Sequence, residues 1–192
     1  MYPRAARAGA AALMGLVAAL ATASCASPPA TDSPTATATP VATATATENP
    51  YGGAPVDPPG PGEAVLVVIP SSGPEVALTM AELESLGTRS VTLDEPFVHQ
   101  RQEFTGVPLA TVVEQAGIPA SAEVVTRALN DYEYADTVAD LVGSDALIAT
   151  SRDGAAIPFD QGGPIRLVFP DGSALATNLD AWNWSLAEVR QA

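Results

Sequence analysis

Apolar and polar positions follow one another in short blocks, and the blocks change character near residue 63. The β-branched run at 64–69 predicts a strand buried on both faces. A break from Pro70 to Pro74 follows, and 76–78 predicts a short return strand. Thr79 and Glu82 stand at capping-box spacing, ahead of a helix with Met80, Leu83 and Leu86 on one face and Gly87 as its stop. Alternation at 89–93 puts Val91 and Leu93 on one side of a half-buried strand, and 97–105 predicts the returning arm of a hairpin. Pro108 suits the first turn of a helix over 109–115, whose Leu109, Val112, Val113 and Ala116 share a face and whose stop is Gly117.

Further on, 123–128 and 146–151 predict strands. Between them lie a polar, aromatic turn at 130–134, renewed pairing at 135–138 and a short helix within 136–142. The run Gly162 to Pro170, with one arginine among Ile165, Leu167, Val168 and Phe169, predicts a central strand with neighbours on both sides. Pro170-Asp171-Gly172 ends it, a turn with two tryptophans spans 175–184, and 185–190 alternates as a last strand. Strands outnumber helices, and the helices are short and scattered. The pattern therefore predicts an α+β domain with a mixed, largely antiparallel sheet.

The first 62 residues follow other rules. Arg4 and Arg7, an apolar stretch from Ala8 to Ala21 and small residues before Cys25 have the plan of a secretory signal over 1–24, too short to span a bilayer as a helix. Thr22-Ala23-Ser24-Cys25 resembles a bacterial lipobox, in which the cysteine carries the lipid anchor. Residues 25–62 are rich in Thr, Ala and Pro with few large apolar side chains, as expected of a disordered tether. The folded domain is expected over 63–192, outside the cytoplasm and held to the membrane through Cys25.

Charge and rare residues narrow the chemistry. All 8 basic residues are arginines; removal of the signal leaves six of them against 22 acids, a net of −16. Such a surface repels nucleic acid, which is excluded as a partner. With no lysine there is no phosphate loop, and no Gly-x-Gly-x-x-Gly opens a helix. One histidine, His99, and one cysteine, Cys25, do not make a zinc or copper site, and His99 falls in the exposed hairpin arm. Asp131, Glu133, Asp136 and Asp140 lack the spacing of a calcium loop and are expected to form a solvated acidic face. Neither a metal site nor a catalytic residue is expected.

Two features suggest recognition. Trp182 and Trp184, at i and i+2, are expected to send one indole inward and the other toward the surface. Arg166, in an apolar strand, needs either an acid such as Asp131 or a cleft, because burial without a partner is costly. The candidate ligand-binding set is Asn130, Asp131, Tyr132, Arg166, Trp182 and Trp184.

Several short motifs occur in an order that resembles the molybdopterin-binding domain of the sulfite oxidase family. They are Leu78-Thr79-Met80-Ala81-Glu82-Leu83, Phe104-Thr105-Gly106-Val107-Pro108-Leu109, Asn130-Asp131-Tyr132, Gly163-Pro164-Ile165-Arg166-Leu167-Val168-Phe169-Pro170 and Trp182-Asn183-Trp184. The resemblance implies that family's mixed α+β fold, and it looks most like the small single-domain versions on exported proteins. It also implies that catalytic members would hold the metal through a cysteine ahead of the segment matching Phe104 to Leu109. Here that approach, 93–103, has none, and the candidates for a pterin phosphate are His99, Arg101 and Arg166. The expectation is a non-catalytic module, without cofactor, that binds a small ligand or a protein partner. The alternatives are a molybdopterin-dependent oxidoreductase with atypical metal coordination, or a structural envelope protein.

Overall fold

The computed structural model describes residues 56–192. The signal, Cys25 and most of the tether lie outside the described residues. The order of elements is β1 (Ala64–Ile69), β2 (Val76–Thr79), α1 (Met80–Ser85), β3 (Arg89–Glu95), β4 (Gln100–Pro108), α2 (Leu109–Gln115), β5 (Glu123–Ala128), β6 (Glu133–Thr137), α3 (Val138–Gly143), β7 (Leu147–Arg152), β8 (Ala155–Ala156), β9 (Arg166–Val168) and β10 (Leu186–Gln191). Single helical turns at Phe159–Gln161 and Leu179–Ala181 interrupt the loops.

The strands form two sheets. One runs in the order β2-β1-β10-β5-β6, with β1 and β10 parallel and every other pair antiparallel. The other runs β3-β4-β7-β8, and β9 joins β7 beside β8. Among the described residues strands outnumber the three short helices and antiparallel pairs dominate, so the architecture is α+β as the pattern predicts. Leu66, Val68, Val124, Leu186 and Val189 from the first sheet and Leu93, Phe104, Val107, Leu147, Ile148, Leu167 and Val168 from the second supply buried core side chains.

Local chemistry sets several boundaries. The Thr79 hydroxyl accepts from the Glu82 amide at 3.3 Å, while the Glu82 carboxylate accepts from the Thr79 amide at 2.9 Å, so the capping box forms. Gly87 and Gly117 follow α1 and α2 with φ of 103° and 72°, the left-handed conformation that ends a helix. Gly106 does something different. An added Cβ there would lie 2.1 Å from the Ile148 carbonyl oxygen, so β4 and β7 meet more closely than a side chain permits.

Three expectations need correction. Residues 162–170 are not a central strand flanked on both sides: β9 pairs only with β7. Its other side is met by the irregular turn before β10, where the Leu167 amide donates to the Asn183 carbonyl and the Leu186 amide to the Ile165 carbonyl. Continuous burial at 165–169 gave the appearance of a second neighbour strand. Pairing in β6 starts at Glu133, not Ala135, because Asp131 takes φ of 66° and reverses the chain within one tight turn. Pro108 ends β4 and caps α2 rather than joining its first turn.

Candidate functional site

The tip of the β3–β4 hairpin, the β5–β6 turn and the chain from 175 to 184 converge on one groove. It has a volume of about 390 Å³ and is lined by Phe97, Asn130, Tyr132, Leu179, Asp180, Trp182 and Trp184.

Beneath it lies a buried ion pair. Arg166, at the start of β9, donates from Nη2 to Glu95 Oε1 at 2.9 Å, and both side chains are 1 % exposed. The second Glu95 oxygen accepts from the amides of Phe97 and Val98, each at 2.8 Å. One carboxylate thus neutralises the guanidinium and also folds the hairpin tip over it, which presents Phe97. The guanidinium carbon lies 4.3 Å from the Trp184 ring centre and 5.7 to 5.9 Å from those of Phe104, Phe97 and Trp182. Burial of this cation is therefore matched by a carboxylate and a wall of π faces.

The two indoles differ in depth but line the same groove. Trp182 is buried and packs edgewise on Phe169 at 5.8 Å between ring centres. Trp184 is half-buried, 4.9 Å from Phe97. Asn183 between them is fully buried and donates to the carbonyl and hydroxyl oxygens of Thr126 in β5. Gly162 makes room behind Trp184: it has φ of 90°, and an added Cβ would lie 3.0 Å from the indole.

The outer wall is fixed by two tyrosines. Asn130 Oδ1 accepts from the Tyr132 amide at 3.2 Å, and the Tyr132 hydroxyl donates to the Asp180 carbonyl at 2.9 Å. Tyr134 donates to Asp136 at 2.7 Å and accepts from Asn178 Nδ2 at 3.2 Å. These bonds moor the 178–180 turn to β6 and the turn that precedes it. Burial, followed by the charge of Asp180, holds the Tyr132 hydroxyl above the usual tyrosine range. The Tyr134 hydroxyl is pushed up to about 12 by burial and then by Asp136.

The expected residues are thus partly brought together. Asn130, Tyr132, Trp182 and Trp184 line the groove. Arg166 supports it from behind, and its acid is Glu95, not Asp131. Asp131 is at the outer tip of its turn, 77 % exposed, paired with Arg127 four residues earlier. Phe97, Leu179 and Asp180 complete the lining and were not anticipated. A Phe at a hairpin tip carries no local signal that it will fold back over a buried arginine.

A second cavity of about 680 Å³ shares Leu179 and Trp182 with the groove and is lined also by Asp94, Glu95, His99, Phe169 and Asp171. Asp171 accepts from the Asp94 amide at 2.9 Å and from Arg101 at 2.8 Å, and these bonds hold its carboxyl below the usual range. Among the described residues no group of three or more His, Cys, Asp or Glu is disposed to hold a metal ion.

That donor set can be compared with what a molybdopterin needs. No cysteine stands in 93–103, and the hairpin tip there sets Phe97 against Trp184. Of the arginines expected to meet a phosphate, Arg166 is held by Glu95 and Arg101 by Asp94 and Asp171. The larger cavity presents carboxylates to any anion. The residues present do not fit the group.

Comparison with known proteins gives two further findings. The family model described as the oxidoreductase molybdopterin-binding domain matches residues 80–177. The fold is similar to that in the crystal structure of the sulfane dehydrogenase SoxCD from Paracoccus pantotrophus, with a TM-score of 0.52 and 16 % sequence identity. The match covers 66 % of this chain and 37 % of that one, so the chain spans little more than a third of that protein's length. No curated protein sequence matches it.

Proposed function

Because the chain belongs to the oxidoreductase molybdopterin-binding domain family, we propose that it retains that family's scaffold as a ligand-binding module and does not run metallopterin chemistry. One observation carries this reading. Among the described residues the large exposed apolar side chains are Phe97, Val98, Tyr132 and Leu179. Three of them line a single groove, and Val98 adjoins the first. Apolar surface gathered at a concave site, rather than scattered, marks a place where something docks. The groove adds two tryptophans and a few polar atoms, a composition suited to a small ligand.

The same reading keeps the protein outside the cytoplasm. Cys25 is its lipid anchor, supported by the apolar stretch and small residues that precede it, and the Thr/Ala/Pro-rich segment spaces the domain from the membrane. The missing thiolate and the committed arginines argue against a bound molybdopterin and so against the oxidoreductase alternative.

The experiment is a molybdenum, tungsten and pterin assay on protein exported by its own host. Substoichiometric metal and pterin are expected. Stoichiometric metallopterin together with turnover of a redox dye would overturn the reading.

A further inference from the structure

We propose that the groove takes an organic ammonium ion, most favourably a quaternary one, with its alkyl groups against Phe97, Tyr132 and Trp184 and its charge toward the carboxylate of Asp180. This rests on the binding-module reading and gives it a ligand class. Three observations lead to it.

First, the charge balance of the groove is uneven. Arg166 stands behind Trp184, but Glu95 matches its charge at 2.9 Å. Arg127, near the turn that carries Tyr132, is paired with Asp131. Asp180 lines the groove, and its carboxylate has no ion pair or hydrogen bond among the described residues. The unmatched charge is therefore negative, on a chain of net charge −14. A cleft bounded by apolar walls concentrates that field on whatever enters.

Second, part of the groove's polar complement is already engaged. Asn130 Oδ1 accepts from the Tyr132 amide, and the Tyr132 hydroxyl donates to the Asp180 backbone. A sugar needs several convergent hydrogen bonds, and the Trp182 indole N–H and the Asp180 carboxylate are a short set for it. A quaternary ammonium needs none: its attraction is to π faces and a nearby anion.

Third, the walls are aromatic on more than one side. Phe97 meets both indoles edgewise, with ring centres 4.9 and 6.3 Å apart, and Tyr132 faces them from the β5–β6 turn. The cluster already holds one cation, Arg166, against its inner side. The elevated hydroxyl of Tyr132, raised by burial and by Asp180, agrees with an Asp180 field that reaches into the groove.

The test uses the full chain, whose two tryptophans both line the groove and report on it by fluorescence. Choline is titrated against dimethylbutanol, its uncharged carbon isostere. Choline is expected to saturate the signal and to bind about tenfold more tightly than the isostere. In Asp180→Asn that preference is expected to shrink to about twofold while the thermal midpoint stays unchanged. Tyr132→Ala is expected to weaken both ligands. A parallel arm with phosphatidylcholine vesicles separates the sources: co-sedimentation that Asp180→Asn abolishes identifies a lipid headgroup, and its absence identifies a free solute. Equal binding of choline and isostere, or tighter binding of a neutral sugar such as maltose, overturns the ammonium inference and leaves the binding module standing. Indoles that respond to none of these probes overturn the inference and count against the groove as a binding site.

Discussion

Glu95 and Arg166, 71 positions apart in the chain, meet at 2.9 Å with both side chains 1 % exposed. The pair joins the end of β3 to β9 and fixes the hairpin tip through the amides of Phe97 and Val98. Loss of one partner leaves an uncompensated buried charge, which costs about 3 to 5 kcal/mol. Arg166→Ala and Glu95→Ala are each expected to fall in that range by urea denaturation. The double replacement Glu95→Leu with Arg166→Met is expected to recover much of it, because neither charge then remains. Additive losses in the double variant would show that the two side chains do not act as a pair.

Gly106 should tolerate no side chain. The Ile148 carbonyl oxygen and the Ala149 Cα would lie 2.1 and 2.6 Å from an added Cβ, and both are backbone atoms held in the β4–β7 ladder. Gly106→Ala is expected to lower stability by about 3 kcal/mol, the upper end for overpacking. Gly172→Ala is a useful contrast: its φ of 78° strains an alanine, but nothing lies within 4 Å of the added carbon. A denaturation midpoint for Gly106→Ala equal to wild type would contradict the close approach of the two strands.

Tyr134 gives the alkaline limb of stability a definite sign. Its hydroxyl is raised to about 12 by burial first and by Asp136 second. Between the ordinary tyrosine value of about 10 and that raised value, the folded chain holds a proton the unfolded chain has lost. The contribution is thus complete below about pH 10 and disappears as pH climbs toward 12. Unfolding free energies measured across this window should decline for wild type. The decline should be shallower in Tyr134→Phe, and identical slopes would remove Tyr134 as its source.

Cys25→Ser is expected to release the protein from membranes into the soluble fraction, since the serine cannot carry a thioether-linked lipid. Fractionation of host cells, followed by immunoblotting, checks this. Tight membrane retention of the variant would refute the anchor.

What was legible in the sequence divides by range. The capping box at Thr79 and Glu82 needs only residues three apart, and it forms as expected. The unbroken apolar run of β1 and the alternation of β3 likewise reveal strands without reference to partners. Trp182 is buried and Trp184 half-buried, yet both face the same groove, so their spacing showed a difference in depth and not the shared side. The identity of Arg166's acid was not legible. Asp131 is in a turn and already has Arg127 four residues away, whereas Glu95 becomes available only once β3 and β9 are folded. The place of Leu179 and Asp180 was not legible for a similar reason: the Tyr132 and Asn178 hydrogen bonds that moor their turn are tertiary. Burial at 165–169 was legible, but the identity of what covers it was not, and an irregular turn stands where a strand was expected.

The position of β10 bears on how the chain is made. It lies between β1 and β5, so the first sheet is two separate hairpins, β1–β2 and β5–β6, until residues 186–191 arrive. During vectorial synthesis those hairpins must wait, with open edges, until residues 186–191 emerge. A premature stop before Leu186 should therefore leave an aggregation-prone chain rather than a trimmed domain.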